Sequence, residues 1–170
     1  QDRRAAEWLA KFSDEEHRVH EITGLVLSPH YGVSKLVWCL ENLPPVADAL
    51  AQQRLGFGPL ATWLAKQLVI NGGEAPALSD PANASRTLLW DRRRRDWSDE
   101  LLTLFGIPAD CLPRSVPTRF DWGAIECAGR QLPLRVVTGD QSAALFAFGV
   151  PEPDTVSANL GTGAFLQRSM

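Results

Sequence analysis

Apolar residues recur every three or four positions through the first part of the chain, and this spacing is typical of helices with one buried face. The stripe of Val33, Leu36, Val37 and Leu40 is the clearest case, and it stops before Pro44, which cannot continue a helix. Similar stripes predict helices over 1–12, 13–23, 33–40, 45–54, 60–68 and 98–105. The first part of the chain is therefore predicted to be mostly helical.

Short polar side chains mark the predicted ends of these helices. Ser13 and Glu16 have the spacing of a capping box, and Gly24 is placed to close the same helix. Ser98 is the predicted N-cap of the last helix. The helix over 60–68 is predicted to end at Asn71-Gly-Gly73.

Other polar residues of this part are interpreted as scaffold. Asn83, Ser85 and Arg86 are predicted to tie down the backbone of a polar turn, because short polar side chains bond readily to nearby backbone groups. Arg3 and Arg4 are predicted to form a solvated helix end.

After residue 130 the pattern changes. It predicts a buried strand over 132–138, a buried helix over 141–148, and a hairpin of strands 155–160 and 164–167. Asp140 would lie where a strand ends and a helix begins, which is where α/β sheets bind ligands. The turn Gly161-Thr162-Gly163 would let backbone N–H groups approach an anion. Taken alone, an aspartate at this place is most often a helix cap, and a glycine turn of this kind is most often an ordinary hairpin turn.

Composition and charge argue against several classes of function. The net charge of −3 gives no reason to expect nucleic acid or an anionic membrane as a partner. No apolar run approaches the ~20 residues of a membrane span. Cys39, Cys111 and Cys127 are widely spaced and odd in number, which indicates reduced thiols in a cytoplasmic protein. His17 and His20 have no third ligand nearby, so no metal site is predicted.

Several motifs resemble those of the FGGY carbohydrate kinases, and of the glycerol kinases among them. The core of the resemblance is Gly139-Asp140-Gln141-Ser-Ala-Ala-Leu-Phe146, followed by Asn159-Leu-Gly-Thr-Gly-Ala-Phe165. Three further stretches are similar to family blocks: Gln1-Asp-Arg-Arg4, Gly58-Pro-Leu-Ala-Thr-Trp-Leu64 and Asn83-Ala-Ser-Arg-Thr87. The resemblance thus covers most of the chain.

The resemblance implies an α/β fold of two ribonuclease H-like, actin-like ATPase domains. Residues 1–150 would be the later part of the N-terminal, substrate-side domain, with a helix-rich insertion and strands of the central sheet. Residues 151–170 would be the first β-hairpin of the C-terminal, nucleotide-side domain. The cofactors would be ATP and Mg²⁺, the partner a small polyol or sugar, and a homo-oligomer is possible in this family.

The resemblance also assigns roles to individual residues. Asp140 would be the catalytic base that takes the proton from the substrate hydroxyl, and Gln141 would contact the substrate. Gly161, Thr162 and Gly163 would hold the nucleotide phosphate. The family tyrosine that contacts glycerol falls on His30, with Tyr31 on the adjacent phenylalanine position. This departure leaves open whether the substrate is glycerol or a ketose, and whether His30 binds it or caps the loop.

Two other functions remain open from the sequence. A binding or regulatory module of the same fold could have lost catalysis, and a hydrolase could use Asp140 as nucleophile or base. The hydrolase would need a second acid or a metal cluster, and neither is evident. Because the chain begins without Met and ends at Met170 within or just after a strand, we expect a segment of a longer protein, inactive by itself.

Overall fold

The computed structural model describes residues 2–70, 76–161 and 163–168. The chain divides into two compact units between Val137 and Thr138. The predicted boundary between kinase domains, after residue 150, concerns the whole protein and stays a prediction.

The larger unit is mainly helical, with short strands that pair two by two. Its helices are α1 Ala6–Ala10, α2 Glu16–Thr23, α3 Gly32–Asn42, α4 Pro44–Ala51, α5 Leu60–Leu68, α6 Pro81–Ala84 and α7 Asp99–Phe105, with 3₁₀ turns at Ser13–Glu15, Ser85–Thr87 and Ala109–Cys111. Its strands are β1 Leu78–Ser79, β2 Trp90–Asp91, β3 Asp96–Trp97, β4 Arg114–Ser115, β5 Ala124–Cys127 and β6 Arg130–Pro133. β1 pairs with β4 in parallel, and the pairs β2–β3 and β5–β6 are antiparallel.

One hydrophobic core holds this unit together, and α3 lies at its centre. Val33, Leu36 and Val37 of α3 are buried there, which confirms the predicted stripe. They pack with buried side chains of α2, of α7 and of the segment before β2, among them Val19, Ile22, Leu88, Leu89, Leu101, Leu102 and Phe105. A smaller cluster of Ala65, Val116 and Trp122 lies under α5.

Of the two predicted ends of α2, the C-terminal one is confirmed and the N-terminal one is wrong. Gly24 closes the helix as expected, with φ of 75° and its N–H donating to the His20 carbonyl at 2.7 Å. The predicted capping box is wrong, because Ser13 lies inside a 3₁₀ turn and its side chain caps no helix. The same turn shortens the helix predicted over 1–12 to Ala6–Ala10. Gln1 lies outside the described residues.

The other helices follow the sequence closely. Ser98 caps α7 as predicted, accepting a hydrogen bond from the Leu101 N–H at 3.3 Å. The helix predicted over 45–54 is Pro44–Ala51, and the one over 60–68 is confirmed. The predicted stop at Asn71-Gly-Gly73 lies outside the described residues.

The buried strand predicted over 132–138 is wrong. β6 ends at Pro133, and beyond it the chain stays paired with 118–123 only through single backbone hydrogen bonds and an isolated bridge between Val136 and Arg119. Leu132 and Val136 are exposed, while Leu134 and Val137 pack against the smaller cluster. A two-stranded ribbon covered on one side cannot bury alternate residues on both faces, which explains this result.

The smaller unit consists of α8 Asp140–Ala144 and a hairpin of β7 Val156–Leu160 with β8 Ala164–Arg168. The hairpin is confirmed, with Leu160 paired to Ala164. The helix predicted over 141–148 is too long, because the chain tightens into turns after Ala144. It is not buried either, since Phe148 is fully exposed and Phe146 is 60% exposed.

Within the described residues, none of the helices combines the length and the apolar character that crossing a lipid bilayer requires.

Asp80, which the sequence analysis gave no role, is a fully buried carboxylate that caps α6. It accepts hydrogen bonds from the N–H groups of Ala82 and Asn83 at 3.0 and 3.4 Å, and from Asn83 Nδ2 at 2.6 Å.

We expect Asp80→Ala to lower the free energy of unfolding by about 2–3 kcal/mol, because the change removes a cap and leaves buried donors without partners. Urea unfolding of the chain measures this. The matched change Asp48→Ala, at an exposed position of α4, should shift it by less than ~0.5 kcal/mol, and an equal loss in both would contradict the assignment.

Candidate functional site

The Gly139-Asp140-Gln141 segment forms the start of α8. Gly139 takes the N-cap position, and Asp140 is the first residue of the helix. Asp140 therefore does not take the N-cap position, but its Oδ1 accepts a hydrogen bond from the Gln141 N–H, a free N–H group of the first turn, at 2.8 Å. The Asp140 side chain is exposed. An exposed carboxylate on an ordered first turn has the chemistry required of a base.

Gln141 contacts the strand that leads into the glycine turn. Its Oε1 accepts a hydrogen bond from Asn159 Nδ2 at 3.1 Å. This contact joins the two parts of the motif across seventeen intervening residues. Asn159 had no role of its own in the sequence analysis, although it lies only two residues before Gly161.

The glycine turn connects β7 to β8 beyond the Leu160–Ala164 pair. The Gly161 N–H donates to the Gly163 carbonyl at 2.9 Å. Leaving aside its chain neighbours, a Cβ added at Gly161 would meet among the described residues only the Gly163 carbonyl, at 4.0 Å, and one at Gly163 only the Phe165 ring, at 3.7 Å. The described residues therefore leave room beside both glycines. Thr162 lies outside the described residues.

His30 and Tyr31 belong to the larger unit, in the loop before α3. His30 is exposed, whereas Tyr31 is only 8% exposed and forms part of the main core. The two rings meet edge to face, with centroids 5.5 Å apart. The predicted pair thus divides into an accessible imidazole and a mostly buried phenol beneath it.

Side chains of α3 hold this loop from one side. The Ser34 hydroxyl lies within hydrogen-bond distance of the Pro29 and Tyr31 carbonyls, at 3.0 and 2.9 Å. Lys35 Nζ donates to the same Pro29 carbonyl. Each tie fixes backbone within two residues of His30, so the imidazole projects from an ordered loop.

Two arginines stack on aromatic rings near this loop. The Arg86 guanidinium lies over the Tyr31 ring, 4.8 Å from its centroid, and the Arg4 guanidinium lies over Trp38 at 3.8 Å. Arg4 also pairs with Asp2 at 2.7 Å, and the hydrogen bonds that it donates hold the pKa of the Asp2 carboxyl well below its usual range. Arg86 and Arg4 were interpreted as a turn residue and a solvated helix end, so the sequence analysis missed both stacking contacts.

Among residues 2–70, 76–161 and 163–168, no group of three His, Cys, Asp or Glu side chains could hold a metal ion. His17 instead lies 3.9 Å from a carboxylate oxygen of Glu21.

The N-terminal domain of the FGGY family of carbohydrate kinases matches residues 1–147. The chain belongs to this family. Curated relatives of this FGGY chain include the glycerol kinases of Bordetella pertussis, 38% identical over 170 residues, and Aquifex aeolicus, 36% identical over 168. These alignments cover 98% of this chain but 33% and 34% of the two kinases, so the chain spans about a third of their length.

Solved structures confirm the predicted α/β fold. The chain matches the crystal structure of Plasmodium falciparum glycerol kinase with ADP at a TM-score of 0.84 and 24% sequence identity. The match covers 96% of this chain and 33% of that protein. The chain matches xylulose kinase from Rhodospirillum rubrum at 0.77 and 19% identity, with the same coverage. The chain therefore has the actin-like ATPase fold of the FGGY sugar kinases.

The stacking of Arg86 on Tyr31 predicts an ordered His30 ring. We expect Arg86→Met to remove the cation–π contact, worth about 1 kcal/mol, and to loosen the loop beneath the imidazole. In ¹H–¹³C NMR spectra of the chain, the His30 ring signals should then lose the shift that the Tyr31 ring imposes. Arg94→Met, which removes an exposed ion pair to Asp99, should leave them in place, and unmoved signals in both variants would argue against this role of Arg86.

Proposed function

We propose that the protein carrying this chain is a carbohydrate kinase that transfers the γ-phosphoryl group of ATP to a hydroxyl of a polyol or sugar. The observation that carries this proposal is the Gln141–Asn159 hydrogen bond, which ties the Gly-Asp-Gln segment to the strand of the glycine turn. The chain also matches the family over residues 1–147. A cytoplasmic location and a homo-oligomer stay predictions.

In this proposal Asp140 is the base. The acceptor hydroxyl oxygen forms a bond to the γ-phosphorus while the bond from phosphorus to ADP oxygen breaks, and the hydroxyl proton passes to the Asp140 carboxylate. Catalysis of phosphoryl transfer relies mainly on positioning and on stabilising charge, so an ordinary carboxylate suffices as a late proton acceptor. Its exposure and its place on the first turn of α8 support this role.

The glycine turn is proposed to hold the transferred phosphate. Gly161 and Gly163 fit an anion, because among the described residues other than their chain neighbours only the Phe165 side chain comes within 4 Å of a Cβ built at either position. Thr162 is assigned with them by resemblance. Mg²⁺, which neutralises phosphate charge, would be carried on the nucleotide, because this ion is usually held by substrate phosphates and water with few protein ligands.

His30, Tyr31 and Gln141 are proposed to contact the acceptor substrate. The exposed imidazole and the amide supply donors and acceptors for hydroxyl groups, whereas the burial of Tyr31 limits it to an edge contact or to support of His30. The substrate is glycerol or a ketose.

The proposal is tested with a chimera in which this chain replaces the matching third of Bordetella pertussis glycerol kinase. ADP release is measured against glycerol, xylulose, ribulose and rhamnulose. We expect Asp140→Asn to lower kcat by about 10²–10⁴ on the preferred acceptor, because the amide cannot take the proton. The substitution keeps the shape of the side chain.

Asp154→Asn provides the matched control. Asp154 is an exposed carboxylate of the same compact unit with φ of 65°, a conformation that asparagine adopts readily. The kcat of the Asp154→Asn chimera should stay within about twofold of that of the parent chimera. A folded chimera that binds ATP but phosphorylates none of these acceptors would favour the non-catalytic binding module instead.

The phosphate role is tested separately by Gly161→Ala. The fold should tolerate the methyl group, since neither a positive φ nor a close contact opposes it. The methyl would occupy the space that the phosphate approaches, so we expect KM for ATP to rise about tenfold or more, a cost of ~1.4 kcal/mol. Gly56→Ala, where an added Cβ meets nothing within 4 Å, is the control. An unchanged KM for ATP in Gly161→Ala would remove the turn from the phosphate site.

A further inference from the structure

β7 carries a polar side chain that contacts a proposed substrate residue. Asn159 is exposed, pairs with Phe165 of β8 through the backbone ladder, and donates from Nδ2 to Gln141 Oε1 at 3.1 Å. Because Asn159 is exposed, burial in a core does not account for this contact.

The contact selects one of two orientations of the Gln141 amide. A glutamine side chain has an oxygen that accepts and a nitrogen that donates, and a half-turn about its last bond exchanges them. In the structure Asn159 Nδ2 donates to the Gln141 oxygen, and the NH₂ group of Gln141 lies on the other side of the amide. Gln141 is thereby set to donate hydrogen bonds, which suits the lone pairs of an acceptor hydroxyl whose proton must leave in another direction.

The strand places this contact close to the glycine turn. Asn159 is the last residue but one of β7, and Gly161 begins the turn directly after Leu160. Two residues of extended backbone span at most about 7 Å, so the side chain that contacts Gln141 starts within that distance of the proposed phosphate site.

We propose that Asn159 is a positioning residue, which acts through Gln141 to orient the acceptor hydroxyl toward the phosphate at the glycine turn. This inference rests on the proposed kinase function. Asn159 itself contacts neither substrate, so its loss should affect the acceptor and leave nucleotide binding intact.

Two substitutions of Asn159 in the chimera distinguish loss of the contact with Gln141 from a reversed orientation of the Gln141 amide. Asn159→Leu removes the donor at similar size, and we expect kcat/KM for the acceptor to fall about fivefold, mainly through KM, with KM for ATP unchanged within about twofold. Asn159→Asp presents an acceptor to Gln141 and should turn the amide around, so its loss should be larger than that of Asn159→Leu. Ser157→Ala, on the same strand and face, is the control and should match the parent.

A double-mutant cycle tests whether the effect passes through Gln141. In a Gln141→Ala background, Asn159→Leu should cause no further loss in acceptor kcat/KM, because the group that it orients is gone. Losses that multiply independently in the double variant would overturn the inference, as would an Asn159→Leu variant with the acceptor kinetics of the parent.

A measurement on the chain itself distinguishes failure of this inference from failure of the proposed function. In ¹H–¹⁵N spectra, Asn159→Leu should shift the side-chain amide signals of Gln141, and Ser157→Ala should not. If the Gln141 amide signals do not shift in Asn159→Leu, the inference is overturned, whatever kinase activity the chimera shows. Shifted signals with a folded but inactive parent chimera overturn the kinase function, and the role of Asn159 in it falls as well.

Discussion

The larger unit depends on a carboxylate that has no access to solvent. Asp80 orders the turn at the start of α6, and the residues that follow it run straight into the core as Leu88 and Leu89, both fully buried. Leu88 has φ of 67°, a conformation that costs a side-chain-bearing residue energy and persists only where the surroundings enforce it. Thr87 helps to enforce it, since its hydroxyl donates to the Ala84 carbonyl at 2.7 Å and accepts from the Leu89 N–H at 3.2 Å.

The same segment shapes the loop of His30. A Cβ at Gly32 would lie 3.3 Å from Thr87 Cα and 3.2 Å from the Phe57 ring, so glycine lets α3 begin against this turn. One residue earlier, Arg86 covers the face of Tyr31. The order of the proposed substrate loop therefore derives from a buried polar turn some fifty residues later in the chain.

This dependence explains which features could be predicted from the sequence. α3, α5, α7 and the β7–β8 hairpin follow from local periodicity and, for α7, from a cap within the helix's own first turn. The strand over 132–138 and the long helix over 141–148 were wrong because apolar content alone does not specify burial. An apolar stretch is buried only where another layer covers it, and Phe148 has none among the described residues of its unit.

The candidate site shows the same difference between features set by local sequence and features set by tertiary contacts. Asp140, Gln141 and the glycine turn could be located from a local motif, but their partners come from distant parts of the sequence. The Gln141–Asn159 and Arg86–Tyr31 contacts join residues 18 and 55 positions apart, and no periodic pattern reports such pairs. Arg86 was assigned to scaffold, and the structure adds that this scaffold touches a proposed substrate residue.

By resemblance, His30 takes the position of a family tyrosine. Whether the shorter imidazole can reach as far depends on how firmly the loop is held. In a loose loop, backbone movement would compensate for the shorter reach of an imidazole. Here Ser34 and Lys35 bond the carbonyls on either side of His30, and the Tyr31 ring is locked in the core beneath it. The imidazole therefore projects from a loop that offers little backbone movement to compensate. For the proposed kinase, a ring nitrogen rather than a phenolic hydroxyl would be the hydrogen-bonding group at this position.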